Sequence, residues 1–193
     1  MRSSHPAGGF TLIEALVVVT ILGFLLAISV PSISDWIVVQ RVKASAAELV
    51  SDIKFSRGEA IKRNMRVAID FRSVASIQSC YAVHTRTINR NCNCLQGAGD
   101  SCNLAFGSGD AFNNALEELK TVSLASSTKV VMAASRNMNF LPPNGLMEAV
   151  PTAFQVDFNG QDSRVLRVVT NAAGRPQICA PSGSRITGYT ACG

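Results

Sequence analysis

Hydrophobic patterning changes twice along the chain. From Phe10 to Val30, 21 residues are predominantly apolar and Glu14 is the only charge among them. As a helix, that length crosses a hydrocarbon core of roughly 30 Å. Beyond Pro31 the pattern turns amphipathic. Val39, Val42, Ala46, Leu49, Ile53 and Ala60 recur at three- and four-residue intervals, with Ser56 interrupting, while Arg41, Lys43, Glu48, Asp52 and Lys54 fall off the stripe. Together these predict one helix from about Phe10 to Arg63, about 80 Å long at 1.5 Å per residue. Pro31 removes a backbone donor and should kink it.

Past Arg63 the period drops to two. Val67, Ile69 and Phe71 alternate with Arg66, Ala68, Asp70 and Arg72, the signature of a half-buried strand. Cys80 to Thr85, Lys129 to Ala133, Thr152 to Phe158 and Arg164 to Thr170 read as further strands, with Asn159-Gly160 as a turn before Arg164. Residues 89–109, rich in Asn, Gly, Ser and Cys, read as a long loop, and Asp110 as the cap of a short helical turn reaching Lys120.

The length, 193 residues, accommodates one ordinary domain after the apolar segment. Eighteen basic against thirteen acidic residues give a net charge of +5. After residue 160, Arg164, Arg167, Arg175 and Arg185 have only Asp162 for company, a bias that most simply describes a solvated face. Six cysteines, Cys80, Cys92, Cys94, Cys102, Cys179 and Cys192, all follow the apolar run. An even count in a domain delivered outside the cytosol reads as disulfides. A zinc site built from Cys80, His84, Cys92, Cys94 and Cys102 is disfavoured, because Cys92-x-Cys94 lacks the usual two-to-four-residue spacing and a second such pair. Cys80 then pairs with one of the loop cysteines, the connectivity of Cys80, Cys92, Cys94 and Cys102 being left open, and His84 is a strand residue.

Catalysis finds no support. One of the two histidines, His5, lies in the first nine residues, and no G-x-S-x-G, H-E-x-x-H or phosphate-loop pattern occurs. The expectation is a protein that is not an enzyme and uses no cofactor and no metal.

The N-terminus carries the most specific signal. A secretory signal would have a shorter apolar core and a small-residue cleavage site, and neither is present. Arg2 favours a cytoplasmic N-terminus. A plain anchor has no use for Glu14, since a carboxylate at membrane depth costs roughly 2.5–3.5 kcal/mol on insertion scales. The arrangement Gly9-Phe10-x-x-x-Glu14, with Pro31 twenty-second counting from Phe10, resembles the processing site of type IV prepilins and pseudopilins. Ser56-Arg57-Gly58-Glu59-Ala60, Phe140-Leu141-Pro142-Pro143-Asn144-Gly145, and Arg167-Val168-Val169-Thr170-Asn171 leading to Gly174-Arg175 are similar to the GspH/FimT branch of that family.

That resemblance implies a pilin-like α+β fold, a long N-terminal helix packed on an antiparallel sheet. It implies a leader (1–9), a transmembrane helix segment (10–30), its amphipathic continuation (31–63) and a periplasmic β-sheet domain (64–193). A prepilin peptidase would cut between Gly9 and Phe10 and methylate the new amine, and Glu14 would pair with the Phe10 amine of a neighbouring subunit. The partners implied are the peptidase, other pilin or pseudopilin subunits and the bacterial inner membrane. The function implied is a minor pilin or pseudopilin, in a type II secretion pseudopilus or a type IV pilus, the sequence leaving the two open. C-terminal disulfide loops are a feature of pilins, so the resemblance also implies that Cys179 and Cys192 pair, closing a loop worth roughly 3 kcal/mol in the chain-entropy model. The alternative function is DNA binding in natural transformation, which some FimT-like minor pilins perform through a C-terminal Gly-Arg-x-Arg motif. Here that motif reads Gly174-Arg175-Pro176-Gln177, so Arg185 would have to replace the missing guanidinium beside Arg175.

Overall fold

The computed structural model describes residues 9–74, 78–85, 92–102, 117–148, 153–171 and 173–193. The chain forms two compact units, residues 1–37 and residues 38–193. Helix α1, Leu12–Arg63, continues across Pro31, the position at which the sequence predicts a kink. Nine strands follow among the described residues: β1 (Val67–Val74), β2 (Gln78–Thr85), β3 (Glu118–Ala125), β4 (Val131–Ala134), β5 (Met138–Leu141), β6 (Leu146–Met147), β7 (Phe154–Asn159), β8 (Val165–Thr170) and β9 (Pro176–Cys179). All pairings between these strands are antiparallel, which matches the expected α+β class.

The strands build two sheets instead of the single one expected, in the orders β3-β2-β1-β5-β6 and β4-β7-β8-β9. Val42, Ala46, Leu49 and Ile53 of α1 share one core with Val67, Ile69, Tyr81 and Val83 of the first sheet and Phe154, Val156, Phe158, Leu166 and Val168 of the second. The two sheets are also tied by a hydrogen bond, the Met132 N–H donating to Ser79 Oγ at 2.9 Å.

Three departures from the sequence pattern have physical causes. Asp52, placed off the helical stripe by its charge, is buried: it accepts from the Tyr81 hydroxyl at 2.7 Å and lies 2.8 Å from Lys120 Nζ. Burial, ahead of the Asp52 contact, pushes the Tyr81 phenol far above its usual range. Burial also opposes the charge on Lys120, but its bonds to Asp52 and Glu48 prevail and raise it. Tyr81→Phe is expected to lower unfolding stability by about 1.5 kcal/mol, the worth of a hydrogen bond to a charged group, measured by urea denaturation. An unchanged unfolding midpoint would show that Asp52 is held by Lys120 alone.

Second, β2 and the Val67–Asp70 half of β1 are buried on both faces. Ala68 and Asp70, read as the wet side of a half-buried strand, are buried. With Cys80, Ala82 and His84 they lie on the face away from the main core, where Cys80 and Ala82 pack with Cys92 and Cys94 of the loop in a satellite core. Third, the helical turn expected up to Lys120 ends as strand: Glu118–Lys120 open β3, drawn into the ladder by pairing with β2. Asp110 and the rest of residues 103–116 lie outside the described residues.

Candidate functional site

Gly9 and Phe10 precede the helix in irregular backbone, and residues 1–8 lie outside the described residues. Thr11 caps the helix. Its Oγ1 accepts from the Glu14 N–H at 3.3 Å and its carbonyl from the Ala15 N–H at 3.2 Å. Thr11-Leu12-Ile13-Glu14 therefore has the spacing of a capping box, a signal not used in the sequence reading. An acidic residue in the first turn also suits the positive end of the helix dipole. Glu14 is exposed, and among the described residues its carboxylate has no hydrogen-bonding or ionic partner.

Around it the helix offers apolar side chains on every side. Phe10 is 84% exposed, Ile13 71%, Val19 68% and Phe24 74%, so residues 10–26 have no covered face within the chain. Among the described residues no helix is long and apolar enough to cross a membrane. The side chains of residues 28–32 lie outside that description.

The six cysteines form three disulfides, Cys80–Cys94, Cys92–Cys102 and Cys179–Cys192. Cys80 thus takes a loop cysteine, and the C-terminal pair closes as the pilin resemblance implies. Ile186 of the C-terminal loop is buried in the main core, and the Lys43 ammonium lies 5.9 Å from the Tyr189 ring centre. The one potential metal cluster among the described residues is His84, Cys92 and Cys102, but both sulfurs are bonded to each other and are not thiolate donors. His84 is more than a strand residue: its Nε2 lies 2.8 Å from Asp70 Oδ2, which also accepts from the Cys92 N–H at 2.7 Å.

Arg175 and Arg185 do not converge. Arg175 follows the Thr170 end of β8, its N–H donating to Asn171 Oδ1 at 3.0 Å. The Arg185 N–H donates to the Ser163 carbonyl, also at 3.0 Å, just before the Val165 end of that strand. Six residues of strand, roughly 20 Å at about 3.3 Å each, lie between these ends. Arg185 is therefore not positioned to replace the guanidinium missing at Gln177. Two other arginines of this region are engaged, Arg167 with Asp157 at 2.6 and 2.8 Å and Arg164 with Asp162 at 2.9 Å. The cations that do stand near Arg175 are Lys54 and Arg57 of α1, which line the same cavity. Their i, i+3 spacing puts both on one helix face, a signal legible in the sequence but not used.

The family described as type II transport protein GspH matches residues 45–174, about two thirds of the chain. The chain belongs to the GspH family. The prokaryotic N-terminal methylation motif matches residues 5–30 of this GspH-family chain, a stretch containing Gly9, Phe10 and Glu14. Membership makes it a pilin-like structural subunit of the pseudopilin and minor-pilin class, associated with a pilus and anchored in a membrane. Two crystal structures of the Pseudomonas aeruginosa type IV minor pilin FimU are similar. One aligns at 15% identity and a TM-score of 0.44 over 70% of this chain and 90% of that one. The other aligns at 13% and 0.45 over 72% and 88%. No curated protein matches the chain in sequence.

Proposed function

We propose that this GspH-family subunit is made as an inner-membrane precursor, cut between Gly9 and Phe10 by a prepilin peptidase, methylated on the Phe10 amine, and built into a pseudopilus or pilus as a minor component. The observation that carries this reading is Glu14, an exposed carboxylate without a partner among the described residues, in the first turn of a helix whose residues 10–26 have no covered face. A neighbour's Phe10 amine supplies the opposite charge, and meeting it removes the cost of holding either charge in hydrocarbon. Residues 10–30 span the bilayer once, Pro31 bends the helix beyond it, and the β-rich unit stands in the periplasm, where an oxidising environment suits its three disulfides.

Co-expression with a prepilin peptidase tests the first step. Intact mass is expected to show a chain beginning at Phe10 and carrying one added methyl group, and Gly9→Leu is expected to abolish the cut, because the protease must approach a backbone without a side chain. A wild-type chain that stays uncut beside an active peptidase refutes the proposal and leaves a plain membrane anchor. Whether the subunit serves secretion or a pilus follows from which subunits copurify with it. DNA binding, the alternative, relied on Arg175 and Arg185 acting together, and their separation leaves it without that support.

A further inference from the structure

Arg57 projects from α1 with its stem held between two glycine turns. At Gly145, φ is +63° and a Cβ would stand 2.8 Å from Arg57 Cγ. At Gly174, φ is +70° and a Cβ would stand 3.6 Å from Arg57 Cδ. Only glycine takes both conformations without strain and lets the turns approach this closely. The clamped guanidinium is nevertheless unsatisfied: Nε is buried with no hydrogen-bond partner. It borders an open cavity of about 540 Å³, together with Lys54, Ile61, Arg175 and Pro176. Among the described residues no acidic side chain lines that cavity, and none of its three cations has a side-chain hydrogen bond or ion pair.

A second observation concerns Gly58, which lines the same cavity from the helix side. A glycine inside a helix costs about 1 kcal/mol relative to alanine. Nothing lies within 4 Å of where its Cβ would be, so no contact within the chain requires glycine there. The missing side chain leaves the helix backbone open to close approach from outside. Ile61, 46% exposed, lies three residues on along this face.

We propose that this groove is a docking site for a polypeptide segment of a partner protein that carries a carboxylate beside an apolar side chain. The carboxylate sits between Arg57 and Arg175, a geometry suited to forked guanidinium donors. The apolar side chain packs on Ile61 and Pro176, and the segment's backbone passes over Gly58. Nucleic acid fits less well: among the described residues no aromatic side chain lines the groove for base stacking, and the cations ring one cavity instead of forming a track for successive phosphates.

The full-length protein in a neutral detergent is titrated, by fluorescence anisotropy, against a labelled ten-residue peptide alternating glutamate and leucine. The comparison probes are its glutamine counterpart and a labelled oligothymidylate. The expected result is salt-sensitive binding of the acidic peptide, at least tenfold tighter than of the glutamine peptide. Arg57→Gln and Arg175→Gln should each weaken it about tenfold, the scale of one lost charge-assisted hydrogen bond. Gly58→Leu should weaken it similarly while leaving the urea unfolding midpoint unchanged or raised, so that loss of binding is separated from loss of fold. The proposal is overturned by equal binding of the two peptides, by no binding of the acidic one, or by binding that Gly58→Leu and Arg175→Gln leave intact. Tighter, Arg175-dependent binding of the oligonucleotide overturns it in favour of a nucleic-acid site.

Discussion

Glu14→Leu is expected to insert into the membrane at least as well as the wild type and to lose copurification with other pilin or pseudopilin subunits by tenfold or more. The two effects have opposite signs because they come from one charge. In hydrocarbon the carboxylate costs roughly 2.5–3.5 kcal/mol, so its removal favours the membrane form. In the assembly proposed above the same carboxylate meets a subunit's amine, and deleting one partner leaves the other charge buried and unpaired, a loss of roughly 3–5 kcal/mol. Glu14→Asp keeps the charge but shortens its reach by one methylene, so an intermediate yield is expected. Thr11 completes the argument: the helix end is capped by its hydroxyl, so Glu14→Leu does not remove the side-chain cap. Wild-type recovery of Glu14→Leu in affinity-purified complexes would end the pairing hypothesis.

The largest effect on stability is expected at Asp70. Its Oδ2 accepts from the Cys92 N–H and faces His84 Nε2, while Oδ1 is buried with no partner. Both side chains are essentially inaccessible, at 1% and 0% exposure. Asp70→Ala leaves a buried imidazole and a buried loop N–H without their shared acceptor, with an expected cost of about 3–5 kcal/mol. That is a large part of the 5–15 kcal/mol typical of a whole domain. Asp70→Asn, which keeps an acceptor oxygen, should cost less. Urea unfolding with the disulfides intact is the appropriate measurement, and a loss below about 1 kcal/mol for Asp70→Ala would mean that the satellite core relaxes around the gap.

Much of the fold was legible from periodicity. The helix from Leu12 to Arg63 and strands β1, β2, β4, β7 and β8 lie within a few residues of where the alternation of apolar and polar positions puts them. What periodicity could not reveal was a second buried surface. Asp70 and Ala68 look like solvent-facing positions until a loop from elsewhere in the sequence is laid over them, and the cysteines announce that loop without saying where it lies. Strand β3 begins with Glu118, Leu119 and Lys120, residues that favour helix locally, and it is strand because β2 offers it a ladder. The N-terminal motif was legible in full, because Gly9, Phe10 and Glu14 form one short linear signal. The groove was not, since it joins Arg57 to Arg175 across more than a hundred residues and depends on the left-handed turns at Gly145 and Gly174.

The uncovered N-terminal helix sets a condition on how the subunit travels. Twelve large apolar side chains between Phe10 and Leu26 are exposed on the isolated chain. At roughly 1.5–3 kcal/mol for each such side chain, bringing them all into water would cost more than the stability of most domains. No aqueous stopover exists for this molecule. In the assembly proposed above, lipid is therefore exchanged for neighbouring helices side by side, which makes filament growth a handover at the bilayer surface with the growing base touching the membrane at every step.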